Sequence, residues 1–394
     1  MKKRLILLII LAAGLIALIL TGGIAAFADD TGLEDINQNI ADLLKDLDLS
    51  ELQKYLDENT DSYLLKFGST AGEIVEYLIH GNLGTDYGGY LSELFSIIFK
   101  NIIALIPAFA EITAVALLSA IVSSAEGNIL GKSTSKIVHL ACYSLIILIL
   151  ASMLTGIVTN CIACVNRIKR QIEIITPILA TLTVLTGGTS SAAIYQPSAI
   201  FLSGGAVEIV SGFIFPAAIA VIVLNFMSKL NPQMSFSGVT TFLKSIMKWV
   251  IGITVTVFSI FITMQSSASS LFDGIIFKAT KYVVSNSVPI VGNFLSSGFD
   301  MLSSAGLLIK SSVGLCGIIL LLFEIIAPII ALAAFSLILK LVGAIVQPIG
   351  ENVLYQLLSD LSKDIEYFIA GLLTVAFMYA LVIMLIINSA NSFI

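Results

Sequence analysis

Val313–Leu339 reads VGLCGIILLLFEIIAPIIALAAFSLIL. A single charge, Glu324, interrupts an apolar run longer than the roughly 20 residues a helix needs to cross a bilayer. Pro328 lies inside the run, so the span is expected to tilt or kink. The apolar residues are continuous rather than alternating, which excludes a β-barrel. Comparable runs occur at Asn101–Val122, Ile137–Thr159, Ile172–Leu185, Ala206–Met227, Trp249–Met264 and Phe368–Ile387. They predict an all-α fold: a polytopic α-helical integral membrane protein of about six to seven spans. The third run is short and enters Thr186, Gly187 and Gly188, which marks it as a candidate broken span.

Composition agrees. The 394 residues are 57% hydrophobic and 12% charged, against roughly 25% charged in soluble domains. The net charge of −6 hides an asymmetry. Residues 29–96 hold 15 acids and three lysines, whereas 1–28 and 97–394 each carry +3. No long basic tract suits nucleic acid.

Upstream, residues 1–28 have the form of a signal peptide. Lys2, Lys3 and Arg4 precede an apolar stretch to Leu20, and Ala26-Phe27-Ala28 offers a cleavage site. Residues 29–96 are then a small N-terminal exported helical segment. Its apolar stripe of Leu33, Ile36, Ile40, Leu43, Leu44, Leu47 and Leu52 is expected to rest on the membrane module or on a partner. Residues 97–394 form the multi-span module, which includes an amphipathic segment, 266–312. Within that segment Val291, Phe294, Leu295, Phe299, Leu302 and Ile309 fall on one helical face. Asn293, Ser296, Ser297, Asp300, Ser303 and Ser304 fall on the other. With Pro289 and Gly292 they are candidate pore or subunit-contact residues. On this basis Asp300 is expected to matter more than Asp364, which reads as part of a charged loop.

Orientation signals conflict. A cleaved signal followed by seven simple spans would leave Arg167, Lys169, Arg170, Lys229, Lys244 and Lys248 outside, against the positive-inside tendency. If Asn101–Val122, with Pro107 and Glu111 at its centre, dips in and returns, both basic loops fall inside. The loop charges favour this second arrangement.

Ionisable groups within spans are functional candidates by default. Glu208 lies near a span end, where snorkelling to the interface explains it. Glu111 and Glu324 lie deeper and are candidate intramembrane acids for a proton site, a cation site or a subunit contact. Cys161 and Cys164 form a C-x-x-C pair, most simply two small residues one helical turn apart. His80 and His139 make no H-E-x-x-H, and no G-x-S-x-G, P-loop or G-x-G-x-x-G is present. The chain therefore reads as no enzyme, with no catalytic residues, no metal ligands, no cofactor and no nucleotide.

The order of segments resembles the stage III sporulation protein AE family. Ile174–Pro197 is similar to its proline-started, Gly-Gly-containing broken span. Lys281–Gly314 is similar to its K-Y…P-I-V-G-x-F…D…K-x-x-V-G stretch, through Lys281, Tyr282, Pro289, Gly292, Phe294, Asp300, Lys310, Val313 and Gly314. Asn293 stands where the family more often has a second glycine. The resemblance implies a non-enzymatic subunit of a channel or transport complex linking mother cell and forespore, needed for late forespore development. It also implies residence in the mother-cell membrane, with the N-terminal segment extracytoplasmic. Its implied partners are membrane lipid, other stage III sporulation proteins and a forespore-membrane partner. A self-sufficient ion-coupled secondary transporter, using Glu111 or Glu324, is the alternative.

Overall fold

The computed structural model describes residues 40, 43–45, 47–59, 70–79, 87–124, 132–230, 235–287, 292–349 and 352–389. Over 266–302 that description covers the course of the helices and not their side chains. The signal segment 1–28 and Pro289 lie outside the described residues. Among the described residues there is no β-strand.

The first helices whose bounds are described are two short ones, α1 (Ser50–Asn59) and α2 (Ala71–Ile79). Asp48 begins α1 as a local cap, accepting from Ser50 N and Oγ. Each helix is polar outside and apolar inside. Leu52, Tyr55 and Leu56 of α1 and Ile74, Val75 and Leu78 of α2 are buried in the same core as the long helices. The described part of the acidic segment's apolar stripe, Ile40 and Leu52 with Leu43, Leu44 and Leu47 beside them, therefore rests on the long helices, and α1 packs against α4 and α2 against α8.

The long helices are α3 (Tyr87–Ser124), α4 (Lys132–Leu185), α7 (Ser237–Ser287) and α8 (Gly292–Val346). Between α4 and α7, α5 (Thr189–Ile209) and α6 (Phe215–Leu230) are joined by a π turn, Val210–Ile214, into one rod. After a 3-10 turn at Gln347–Ile349 come the amphipathic α9 (Asn352–Asp364) and the apolar α10 (Glu366–Asn388). Five stretches among the described residues are long and apolar enough to cross a membrane: Leu140–Leu185, Thr189–Leu230, Ser237–Gln265, Ser303–Val346 and Asn352–Asn388.

Two sequence expectations are corrected. Ile137–Thr159 and Ile172–Leu185 are not separate spans joined by a basic loop, because α4 runs through both. The intervening NRIKRQIE, Asn166–Glu173, has no Gly or Pro, is rich in good helix formers, and buries Ile168 and Ile172. Nor does Asn101–Val122 dip and return. It lies within one continuous helix that contains Pro107.

At 1.5 Å per residue, the 54 residues of α4 and the 55 of α8 each extend about 80 Å, far beyond a hydrocarbon core of about 30 Å. The helices stack around α10, whose sides are almost entirely buried, as an all-apolar helix requires. Close approach of α8 to α10 depends on Gly317. A Cβ there would stand 2.8 Å from the Tyr379 hydroxyl oxygen and 2.9 Å from Ile175 Cδ1. Tyr379 instead donates to the Gly317 carbonyl at 3.2 Å.

The reversal between α4 and α5 is a Schellman-type stop. Gly188 N donates to Thr183 O at 2.8 Å and Gly187 N to Val184 O at 3.0 Å. Gly187 has φ 89°, where a side chain would be strained.

Candidate functional site

Glu324 sits half-way along α8, facing α4 one turn from Cys164. Apolar helices flank it, and its side chain is 11% exposed. An isolated carboxylate in such a place would be costly. It is satisfied from two directions. Arg167 Nε of α4 donates to Oε2 at 2.6 Å, and the Tyr55 hydroxyl of α1 donates to Oε1 at 3.0 Å. Gln171, one turn beyond Arg167, donates from Nε2 to the Tyr55 oxygen at 2.9 Å. Cys164 Sγ lies 3.4 Å from the Glu324 carbonyl oxygen, as its donor.

The outer rim is more exposed. Arg170 pairs with Glu58 at 2.6 Å and lies over the Tyr55 ring at 5.9 Å. Burial, and then the Glu324 charge, raise the Tyr55 pKa above its ordinary value. The hydroxyl therefore remains a donor at physiological pH.

A second buried pair lies toward the other end of the bundle. Asp364, at the end of α9, is fully buried. Lys244 Nζ of α7 approaches Oδ1 to 2.6 Å, and Asn225 Nδ2 of α6 donates to Oδ2 at 2.6 Å. Asp364 is thus no member of a solvated charged loop. It continues the inward face of Leu354, Leu357, Leu358 and Leu361 at helical spacing. The contrast drawn from sequence between Asp300 and Asp364 loses its premise on the Asp364 side.

A third charge, Lys310 of α8, is fully buried and donates to the carbonyl and Oγ of Ser389. These groups end α10, so the cation sits at the negative end of that helix.

The other residues singled out from sequence are dispersed. Glu111 is exposed on α3. Ser303 is buried and Ser304 half-buried near the start of the described side chains of α8. Gly292 opens α8. The side chains of Asn293, Ser296, Ser297 and Asp300 lie outside the described residues, as does Pro289. Thr186 is buried at the turn, and a Cβ on Gly306 would meet its methyl at 2.8 Å. Cys161 and Cys164 are buried free thiols in the helix interior. Among the described residues no three His, Cys, Asp or Glu side chains converge.

Residues 69–390 match the family described as Stage III sporulation protein AE. The chain belongs to the stage III sporulation protein AE family. It is 24% identical over 323 residues to the Stage III sporulation protein AE of Bacillus subtilis (strain 168), which covers 82% of this chain and 81% of that relative. No solved structure matches it. Within this AE family member, Arg167, Glu324, Lys244, Asp364 and Lys310 all fall inside the matched region. Tyr55 and Glu58 precede it, so the rim that α1 adds to Glu324 comes from outside the matched region.

Proposed function

We propose that this sporulation protein is a non-enzymatic membrane subunit of a channel or transport complex between mother cell and forespore. It resides in the mother-cell membrane with its acidic segment in the space between the two membranes. The observation that carries this reading is the use of buried charge. Glu324, Asp364 and Lys310 are each engaged in joining one helix to another. A self-sufficient ion-coupled transporter needs an acid that exchanges its partner during the cycle. Glu324 is held by a guanidinium and a phenol from two different helices, which suits a scaffold better.

The same contacts constrain topology. Glu58 and Arg170 touch, so the acidic segment and the basic part of α4 lie on one side. An extracytoplasmic acidic segment therefore brings Arg167, Lys169 and Arg170 to that side too, opposite to the arrangement favoured by loop charge. Their neutralisation by Glu324 and Glu58 offsets the cost of that placement.

The test has two arms. Cysteines placed at Lys54 and Lys169 are labelled with an impermeant thiol reagent in intact growing cells that express the chain in their surface membrane; both should react, the native cysteines being buried. The purified chain in proteoliposomes should carry no flux by itself and should co-purify with other stage III proteins from sporulating cells. Flux by the chain alone, abolished by Glu324→Gln, would overturn the reading.

A further inference from the structure

A groove of about 600 Å3 runs between α1 and the distal half of α4. Its floor is apolar: Leu47 from the acidic segment and Ile174, Pro177 and Ile178 from α4. Its rim carries Asp48, Glu51 and Glu173, all exposed. Arg170 also lines the groove, but its charge is met by Glu58. The surface is thus an apolar trough bordered by carboxylates, the complement of a helix with an apolar stripe beside a basic one.

Charge discriminates among the occupants. Residues 29–39 of this chain hold four acids and no lysine, so the rim repels them, and a second copy would bring the same sequence. Anionic lipid headgroups are repelled likewise. Asp48 is held ionised by the hydrogen bonds from Ser50 Oγ and N, which lower its pKa, so the rim keeps its charge near neutrality.

We propose that this groove receives a cationic amphipathic helix from another subunit of the complex. The inference rests on the reading of the chain as a complex subunit and names the chemistry of one contact. Leucine-type side chains of the partner fill the trough over Ile174 and Ile178. Its lysines or arginines meet Glu51 and Glu173.

A photo-crosslinking residue at Thr181, which lines the groove and is exposed, tests this in membranes of sporulating cells. The expected adduct is a peptide of a different protein with basic residues at helical spacing. Its yield should fall about tenfold in Glu51→Lys/Glu173→Lys, and acidic substitutions in the captured peptide should restore it. Glu76→Lys, an exposed reversal on α2 away from the groove, should leave it unchanged. Protease resistance of the purified double variant checks its fold. Adducts only to lipid, to residues 29–39, to a second copy or to an uncharged peptide would overturn the proposal, as would a yield indifferent to charge reversal. If other positions capture stage III partners while Thr181 does not, the groove assignment fails and the subunit reading stands. If no position captures any partner, both fail.

Discussion

The Arg167–Glu324 and Lys244–Asp364 pairs are built from the same chemistry and differ in what surrounds them. Each joins two long-separated helices through one cation and one carboxylate at 2.6 Å. At the first, the Glu324 side chain keeps 11% of its surface exposed and Arg167 39%, and a helix from the acidic segment supplies the remaining donor. At the second, Asp364 keeps 1% and the remaining donor, Asn225, comes from the membrane helices themselves. The first is a junction between two parts of the chain. The second is an internal brace. Losing a partner should therefore cost most where the stranded charge has least access to water.

The largest loss is expected from Lys244→Met. It leaves Asp364 buried with Asn225 as its remaining donor, and should destabilise the protein by about 3–5 kcal/mol. Replacing both residues with apolar ones, Lys244→Met/Asp364→Leu, should recover most of that loss. Unfolding of the detergent-purified single and double variants measures it. Equal losses in single and double variants would mean that the pair is not the source of the effect.

Arg167→Met should cost less, about 1.5–3 kcal/mol, because Tyr55 still donates to Glu324 and the carboxylate is less deeply buried than Asp364. Limited proteolysis of the same purified variants should also show a phenotype absent from Lys244→Met, namely earlier cleavage of α1 than of the bundle. Coincident loss of both parts would erase the distinction between junction and brace.

The two pairs also show what the sequence could and could not reveal. Hydropathy finds the apolar stretches because lipid imposes length and composition on each one, as in Val313–Leu339. Thr186–Gly188 reads in the sequence as a break within a span; in the structure it is a stop and reversal between two helices, at a left-handed residue that favours glycine. The continuity of α4 is not legible from hydropathy, since Asn166–Glu173 is polar. Helix propensity does suggest it. Asp364 carried a readable signal: it lies three residues after Leu361, on the face that Leu354, Leu357 and Leu358 define. The partners of Glu324 carried none. Arg167 is 157 residues away and Tyr55 is 269, and periodicity specifies a face without naming what packs on it. The candidate residues from Pro289 to Asp300 lie beyond the described side chains, so their part in the comparison rests on function. An Asp300→Leu variant with normal sporulation efficiency would remove them from it.

A smaller effect is expected at the junction. Tyr55→Phe keeps the ring under Arg170 and deletes the hydroxyl that bridges Gln171 and Glu324. The expected loss is about 1 kcal/mol at pH 7. The sign of its pH dependence follows from the raised pKa. Above the ordinary tyrosine value of 10.0 the unfolded chain releases a proton that the folded one retains, so stability falls as pH rises. That alkaline decline should be shallower in Tyr55→Phe, and an unchanged slope would show that Tyr55 is not its source.

The smallest effect belongs to Glu58→Gln, and it separates charge from burial at the junction. Glu58 and Arg170 are each more than two-fifths exposed, and water and salt screen such a pair. If α1 stayed in place through this pair, the variant would free the helix, and raising the ionic strength of the wild type would do the same. Leu52, Tyr55 and Leu56 are buried against the bundle instead, and apolar burial is indifferent to modest salt. Hydrogen exchange of α1 amides should accordingly change little in Glu58→Gln or in high salt, and rise steeply in Leu52→Ala. The opposite ranking would make the junction electrostatic throughout, and the acidic segment would then be a salt-releasable arm rather than a fixed part of the core.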